Sequence, residues 1–220
     1  MQAAKTAFLF FLTLAVCAQS KKIAPYKGIS LKLPSAFVVM ADDDIAQKYP
    51  TYKKPLAMYV SKDATAEFGI NAAVNNWSNK NLEVLRSIYR STIMSIFYNV
   101  NFSKDGEIAT INDRKYVLFE FTSEIKDDKR IDESTVLMRR YNYLAYTIYA
   151  NKILIFNFNA DFKKREQWAP QANEIIQSIK ISNNLKLPDF VPYKTEGPQP
   201  KEIKGRRDIQ MEAIKKLNKK

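Results

Sequence analysis

The chain reads as an α+β domain, an antiparallel sheet of about six to seven strands flanked by helices. Three observations predict it. Strand-like runs follow one another between residues 101 and 159, separated by short polar turns. Two stretches, about 80–98 and 170–179, place apolar residues at helical spacing instead. Strands and helices do not alternate strictly, which argues against a doubly wound parallel sheet.

Ile29, Leu31 and Leu33 alternate with polar residues, a half-buried strand ended by Pro34. Ala36 to Met40 is a second short apolar run. Asp42, Asp43 and Asp44 open a helical turn through Lys48, stopped by Pro50, with the acidic first turn suited to the helix dipole. Leu56 to Val60 and Glu67 to Val74 are the next strands. The helix over 80–98 carries an inner stripe of Leu82, Leu85, Tyr89, Ile93 and Ile96, with Ser78 or Asn79 as its cap. Asn101 to Ile111 leads into an Asn112-Asp113 turn, and Val117, Phe119 and Phe121 alternate along the strand after it. Lys126 to Glu133 is a charged loop. Ser134 to Ala150 is strongly β-prone, and Asn151-Lys152 is a tight turn into Ile153 to Asn159. A last helix carries Ala172, Ile175, Ile176 and Ile179, with Pro170 in its first turn, where a missing N–H costs nothing.

The ends differ in composition. Met1 to Ala18 has a positive Lys5, an apolar run from Ala7 to Val16, and Val16-Cys17-Ala18 before Gln19, the pattern of a cleaved export signal. The run is shorter than the roughly 20 apolar residues of a spanning helix. The chain is therefore expected to be exported, to the periplasm or beyond the cell, as a mature protein starting at Gln19. The alternative is a lipid anchor at Cys17, although Val16 is an unusual residue before an acylated cysteine. Residues 19–181 form one expected domain, whose first part, 19–27, is a short basic lead-in. Residues 182–220 are a tail holding four of the nine prolines and ten Lys/Arg against five Asp/Glu, so about half of the mature charge excess sits there.

Composition narrows the chemistry. There is no His, and the single Cys lies in the signal, so the mature chain has no disulfide, thiolate nucleophile or imidazole base. Zinc sites draw on those residues, so no metal or other cofactor is expected. The formal charge of +12 favours anionic partners, and export argues against nucleic acid.

Arg139, Arg140, Tyr141, Tyr143 and Tyr149 are the leading partner-binding candidates, beside Tyr146. Tyr141, Tyr143 and Tyr149 share one strand face under regular pairing, and Tyr with Arg is a favoured binding composition. Packing against cross-strand neighbours is the competing role for the same rings. The tail residues Arg206, Arg207, Lys215, Lys216, Lys219 and Lys220 are candidates for an anionic lipid or glycan surface or an acidic partner, against a disordered solubilising end. Asp42-Asp43-Asp44 has the ligand chemistry of calcium but reads better as a helix start. Trp77 and Trp168 could stack on a sugar but read better as packing at helix starts. Asp127, Asp128, Asp132 and Glu133, interleaved with Lys126, Lys129 and Arg130, have the profile of a solvated loop more than of an acid–base pair.

The order of elements resembles the Mog1/PsbP-like superfamily over residues 28–181. Gly28-Ile29-Ser30-Leu31-Lys32-Leu33-Pro34 resembles its opening strand, Ile111-Asn112-Asp113 before Tyr116-Val117 its hairpin turn, and Ile175-Ile176-Gln177-Ser178-Ile179-Lys180-Ile181 its closing helix. The signal and the Ala18-Gln19 junction resemble exported proteins of the Bacteroidetes group. The resemblance implies a mostly non-catalytic protein-binding role: one branch contacts a small GTPase, another caps photosystem II. It transfers no functional residue, because no functional motif matches. The expected function is an exported, non-enzymatic envelope accessory or assembly protein that binds another protein. The alternative is a carrier or sensor of a small lipid or glycan fragment, suggested by the 13 Phe and 12 Tyr. A hydrolase is a third reading without a nucleophile motif such as Gly-x-Ser-x-Gly. The sequence does not fix the oligomeric state.

Overall fold

Alternation along the strands decides the layering, because successive side chains point to opposite faces of a sheet. The computed structural model describes residues 19–48, 54–75, 81–126 and 136–188. Residues 1–18 with Cys17, Trp77, the carboxylates of the 127–133 loop and the basic residues from 206 onward lie outside the described residues.

Among the described residues the main sheet has seven strands: β3 (Phe37–Val39), β4 (Ala57–Ser61), β5 (Ala66–Val74), β6 (Asn99–Ile111), β7 (Arg114–Lys126), β8 (Val136–Tyr149) and β9 (Lys152–Asp161). Their order is β3-β4-β5-β9-β8-β7-β6, and every neighbouring pair is antiparallel. A second, three-stranded sheet has the order β1-β2-β10, from β1 (Ser20–Tyr26), β2 (Ile29–Pro34) and β10 (Lys180–Ile181). Among the described residues three α-helices accompany them: α1 (Asp42–Lys48), α2 (Leu82–Ile96) and α3 (Arg165–Gln177).

One face of the main sheet, with Phe68, Ile70, Tyr116, Leu118, Tyr141, Tyr143, Phe156 and Phe158, packs in one core with Ile29, Leu31 and Leu33 of β2 and with Trp168, Ala172, Ile175 and Ile176 of α3. The opposite face, with Val117, Phe119, Phe121, Tyr146 and Ile153, packs against Leu85 and Ile93 of α2. A smaller cluster of Met40, Ile45 and Met58 lies under α1.

Several expectations shift. The lead-in 19–27 is largely β1, paired along β2 from Ser20 opposite Pro34 to Tyr26 opposite Ile29. The cap of α2 is Asn81, whose side chain accepts from the Glu83 N–H. Ser78 and Asn79 lie outside the described residues. Ile96 is 64% exposed at the helix end, so the inner stripe stops at Ile93. The β6–β7 turn is Asn112-Asp113, both left-handed at φ 46° and 67°. The β8–β9 turn is Ala150-Asn151 rather than Asn151-Lys152, with φ 44° and 58°. Helix α3 begins at Arg165, five residues before Pro170, so the proline is interior rather than in the first turn. Pro170 is exposed, so the Glu166 carbonyl it leaves without an N–H lies on the solvent side.

The domain also extends past Ile181. Leu185 is buried in the main core, Leu187 packs against it, and the Tyr149 hydroxyl donates to the Asn183 carbonyl at 2.6 Å. The chain divides after Pro188.

Candidate functional site

Strand β8 carries the tyrosines that the sequence singles out. Tyr141, Tyr143 and Tyr149 do share a face, the one covered by α3 and the small sheet. Tyr141 and Tyr143 have 0% of their surface exposed. Their rings are core, and the reading of an exposed tyrosine patch is corrected: the covering layer buries the face that alternation groups together. Tyr149 is half-buried and lies under the Arg114 guanidinium, 5.1 Å from its ring centre. Tyr146 points to the other face and stacks on Tyr89 with centroids 4.0 Å apart. Arg139 pairs with Glu124 at 2.8 Å and Arg140 with Asp161 at 2.9 Å, so both guanidiniums are engaged by neighbouring strands.

The tyrosine hydroxyls instead enter a polar cluster. Glu120 of β7 accepts from the Tyr141 hydroxyl at 3.0 Å and from the Lys104 ammonium of β6 at 2.6 Å. Lys104 also donates to the Tyr143 hydroxyl at 3.3 Å, and that hydroxyl donates to Asn173 of α3 at 3.4 Å. Burial, then the Glu120 carboxylate, raises the Tyr141 phenol above its ordinary value. Burial raises Tyr143 too, against the opposing pull of Lys104. Burial alone would lower Lys104, but the hydrogen bonds and charges of Glu120 and Tyr143 outweigh it and raise the ammonium. Each shift holds the group in its ordinary protonated form at neutral pH, the opposite of what an activated base or nucleophile needs. The cluster ties β6, β7, β8 and α3 together.

Other candidates are structural in the same sense. Trp168 is the fourth residue of α3 rather than preceding it. It is 1% exposed, makes edge contacts with Phe37, and donates its indole N–H to the Thr65 hydroxyl at 3.0 Å. It has no face free for a sugar. Asp42 pairs with Lys54 at 2.6 Å. Among the described residues no three metal-ligating side chains converge.

A surface feature the sequence reading missed lies on the outer face of the small sheet. Ile23, Leu31 and Ile181 turn inward to the core, so Lys22, Ser30, Lys32 and Lys180 turn outward. Lys22 stands directly opposite Lys32, and Lys180 opposite Ser30. Together with the end of α3 they line a cleft of about 400 Å³ that includes Asn112, Glu174 and Ser178. The Asn112 amide donates to the Gln177 and Ile179 carbonyls and closes the helix end, at 3.2 and 2.9 Å. The Ser178 hydroxyl accepts from the Lys32 N–H at 2.8 Å, and Glu174 accepts from the Ser20 hydroxyl at 2.9 Å. All three lysines are exposed, and among the described residues none has an ion-pair partner. The polar half of the 29–33 alternation was legible, but its lysine partner came from a strand with little alternation of its own.

No protein-family model matches the chain, and no curated protein matches it. Its fold is similar to that of cyanobacterial PsbP (CyanoP) from Synechocystis sp. PCC 6803, at 10% identity and a TM-score of 0.52, over 74% of this chain and 93% of that one. Further matches are the Ran-binding protein Mog1p of Saccharomyces cerevisiae, at 9% identity, TM-score 0.48 and coverages of 74% and 96%, and LpqN of Mycobacterium tuberculosis, involved in cell envelope biogenesis, at 12%, 0.44 and coverages of 74% and 91%. The seven-stranded antiparallel sheet, its covering helices and the likeness to CyanoP give the chain the Mog1/PsbP-like fold.

Proposed function

We propose that this is an exported, non-catalytic accessory protein of the cell envelope that works by binding another protein on its surface. One observation carries the choice of surface over interior. The space between the main sheet and α3, where a small ligand would sit, is filled by Trp168, Phe37, Phe158, Tyr141 and Tyr143 at no more than 4% exposure. Close-packed interiors of this kind leave no room for a lipid or glycan fragment, so the carrier reading is the weaker one. Lys104, Tyr141 and Tyr143 keep their protons and hydrogen-bond within one cluster around the Glu120 carboxylate, which supports a structural rather than a catalytic role for these groups. Residues 1–18 support export, and no helix of the described residues is long and apolar enough to cross a membrane.

The test is crosslinking in the native host followed by purification, comparing the full chain with one ending at Pro188. One envelope protein recovered by both supports recognition by the domain. Recovery by the full chain alone moves recognition to residues 189–220. A co-purified small molecule with no protein partner favours the carrier reading instead.

A further inference from the structure

Like charges directly opposite one another destabilise a sheet. The pairing phase makes the opposition of Lys22 and Lys32 a close one. The Ser35 N–H donates to the Gln19 carbonyl at 2.9 Å, so hydrogen-bonded pairs fall at Gln19, Lys21 and Ile23, with Ser20 and Lys22 between them. Pro34, which has no N–H to give, stands opposite Ser20 and agrees with that phase. Lys22 and Lys32 therefore form a non-hydrogen-bonded pair, the kind in which side chains stand nearest. The Lys32 N–H turns the other way, to Ser178. Lys180, on β10 beyond β2, adds a third cation. Glu174, the carboxylate among the described residues that line the cleft, accepts from the Ser20 hydroxyl and forms no ion pair with these lysines.

The same phase leaves the N–H and C=O groups of Ser20 and Lys22 pointing away from β2, at the free edge of the sheet. Among the described residues, an edge without a pairing strand and a row of ammonium groups without an ion-pair partner thus adjoin. An extended peptide can add to such an edge through its main chain and present alternate side chains to one face. A residue opposite Lys22 would then lie on the lysine face. A cleft between a strand edge and a helix end, with Glu174 in its wall, suits a single acidic strand better than a flat, densely anionic membrane.

We propose that the edge of β1 beside the cleft docks an extended acidic segment of a partner protein, its main chain along β1 and its carboxylates against Lys22 and its opposite neighbour Lys32, with Lys180 adding to the positive charge of the cleft. This names the partner class for the protein-binding reading above and rests on it.

The probe is a labelled peptide of about ten residues alternating Val and Glu, long enough for one strand, titrated by fluorescence anisotropy into the full chain. A Val/Gln peptide, phosphatidylglycerol vesicles and two variants complete the set. One variant carries Lys22→Gln, Lys32→Gln and Lys180→Gln; the other carries Lys62→Gln, Lys163→Gln and Lys164→Gln and matches the charge change elsewhere. The Glu peptide should bind and the Gln peptide should not. The cleft variant should weaken binding by about tenfold or more while the remote variant stays near wild type, since site pairing acts beyond net charge. Equal weakening in both variants, no binding of the Glu peptide, or lysine-dependent binding of vesicles alone would overturn the proposal. If the cleft fails but a crosslinked envelope protein is still recovered, the wider reading stands. If the peptide binds but no protein partner exists in cells, the wider reading falls and the site remains.

Discussion

Glu120 shows how one side chain holds several elements. It is the shared acceptor for Lys104 and Tyr141, and Lys104 in turn holds Tyr143 against Asn173. Replacing it with Leu strands an ammonium and a buried hydroxyl without their acceptor. We expect Glu120→Leu to cost about 1–3 kcal/mol, read from the shift in urea midpoint, because the groups left behind keep their desolvation penalty. Alkaline pH should act on the same region. Tyr116, Tyr141, Tyr143 and Tyr146 all have phenols raised above the ordinary 10.0 by burial first. A raised folded value stabilises fully below the unfolded value and loses that contribution as pH rises past it. The domain should therefore weaken from about pH 10 upward, with these phenols absorbing as phenolates only as it unfolds. Early, non-cooperative titration of all twelve tyrosines by absorbance would contradict their burial. Alternation in β8 was enough to group Tyr141, Tyr143 and Tyr149. It carried no information on which face a distant helix would cover, and that decided the fate of the tyrosine patch.

Elements were legible where the local pattern was strong. The Asn112-Asp113 turn, the Ile29–Leu33 alternation and the acidic start of α1 all appear where their chemistry places them. β1 was missed because Lys21-Lys22-Ile23-Ala24-Pro25 has almost no alternation; it becomes a strand by pairing with β2. Pro170 misled for a related reason. Proline usually marks a first helical turn, yet here packing of Trp168, Ala172, Ile175 and Ile176 carries the helix through it. The helix consequently contains a residue of poor intrinsic propensity on its exposed side. Pro170→Ala restores an N–H for the Glu166 carbonyl and should raise stability by about 1 kcal/mol or more. A lower thermal midpoint would mean the proline shapes a bend that α3 needs. Gly106 makes the opposite case. At φ +74°, inside a bulged stretch of β6, an added Cβ would lie 2.4 Å from Arg86 Cγ and 3.2 Å from the Phe119 ring. Gly106→Ala should lower the urea midpoint by the equivalent of about 1–3 kcal/mol.

At the scale of the molecule, the two sheets and α3 share one core, and the chain needs residues beyond the last strand to finish it. Leu185 is 6% exposed, and Lys152 and Tyr149 donate to carbonyls of the 182–188 segment. A chain ending at Ile181 should lose about 2–3 kcal/mol relative to one ending at Pro188, the value of one buried leucine with its neighbours; equal melting curves would make that segment an accessory. Composition alone made the missing His and Cys legible, and the charge excess pointed to anionic partners. The place of the cleft was not legible, because it forms from three strands and a helix end separated by most of the chain. The most direct measurement is a photo-crosslinking amino acid at Gln177, exposed on the rim of the cleft, compared in the native host with one at Val39, 72% exposed on β3. Capture of one envelope protein from position 177 and not from position 39, through an acidic segment of that protein, is the expected result. No capture from 177, or the same proteins from both positions, would contradict the account.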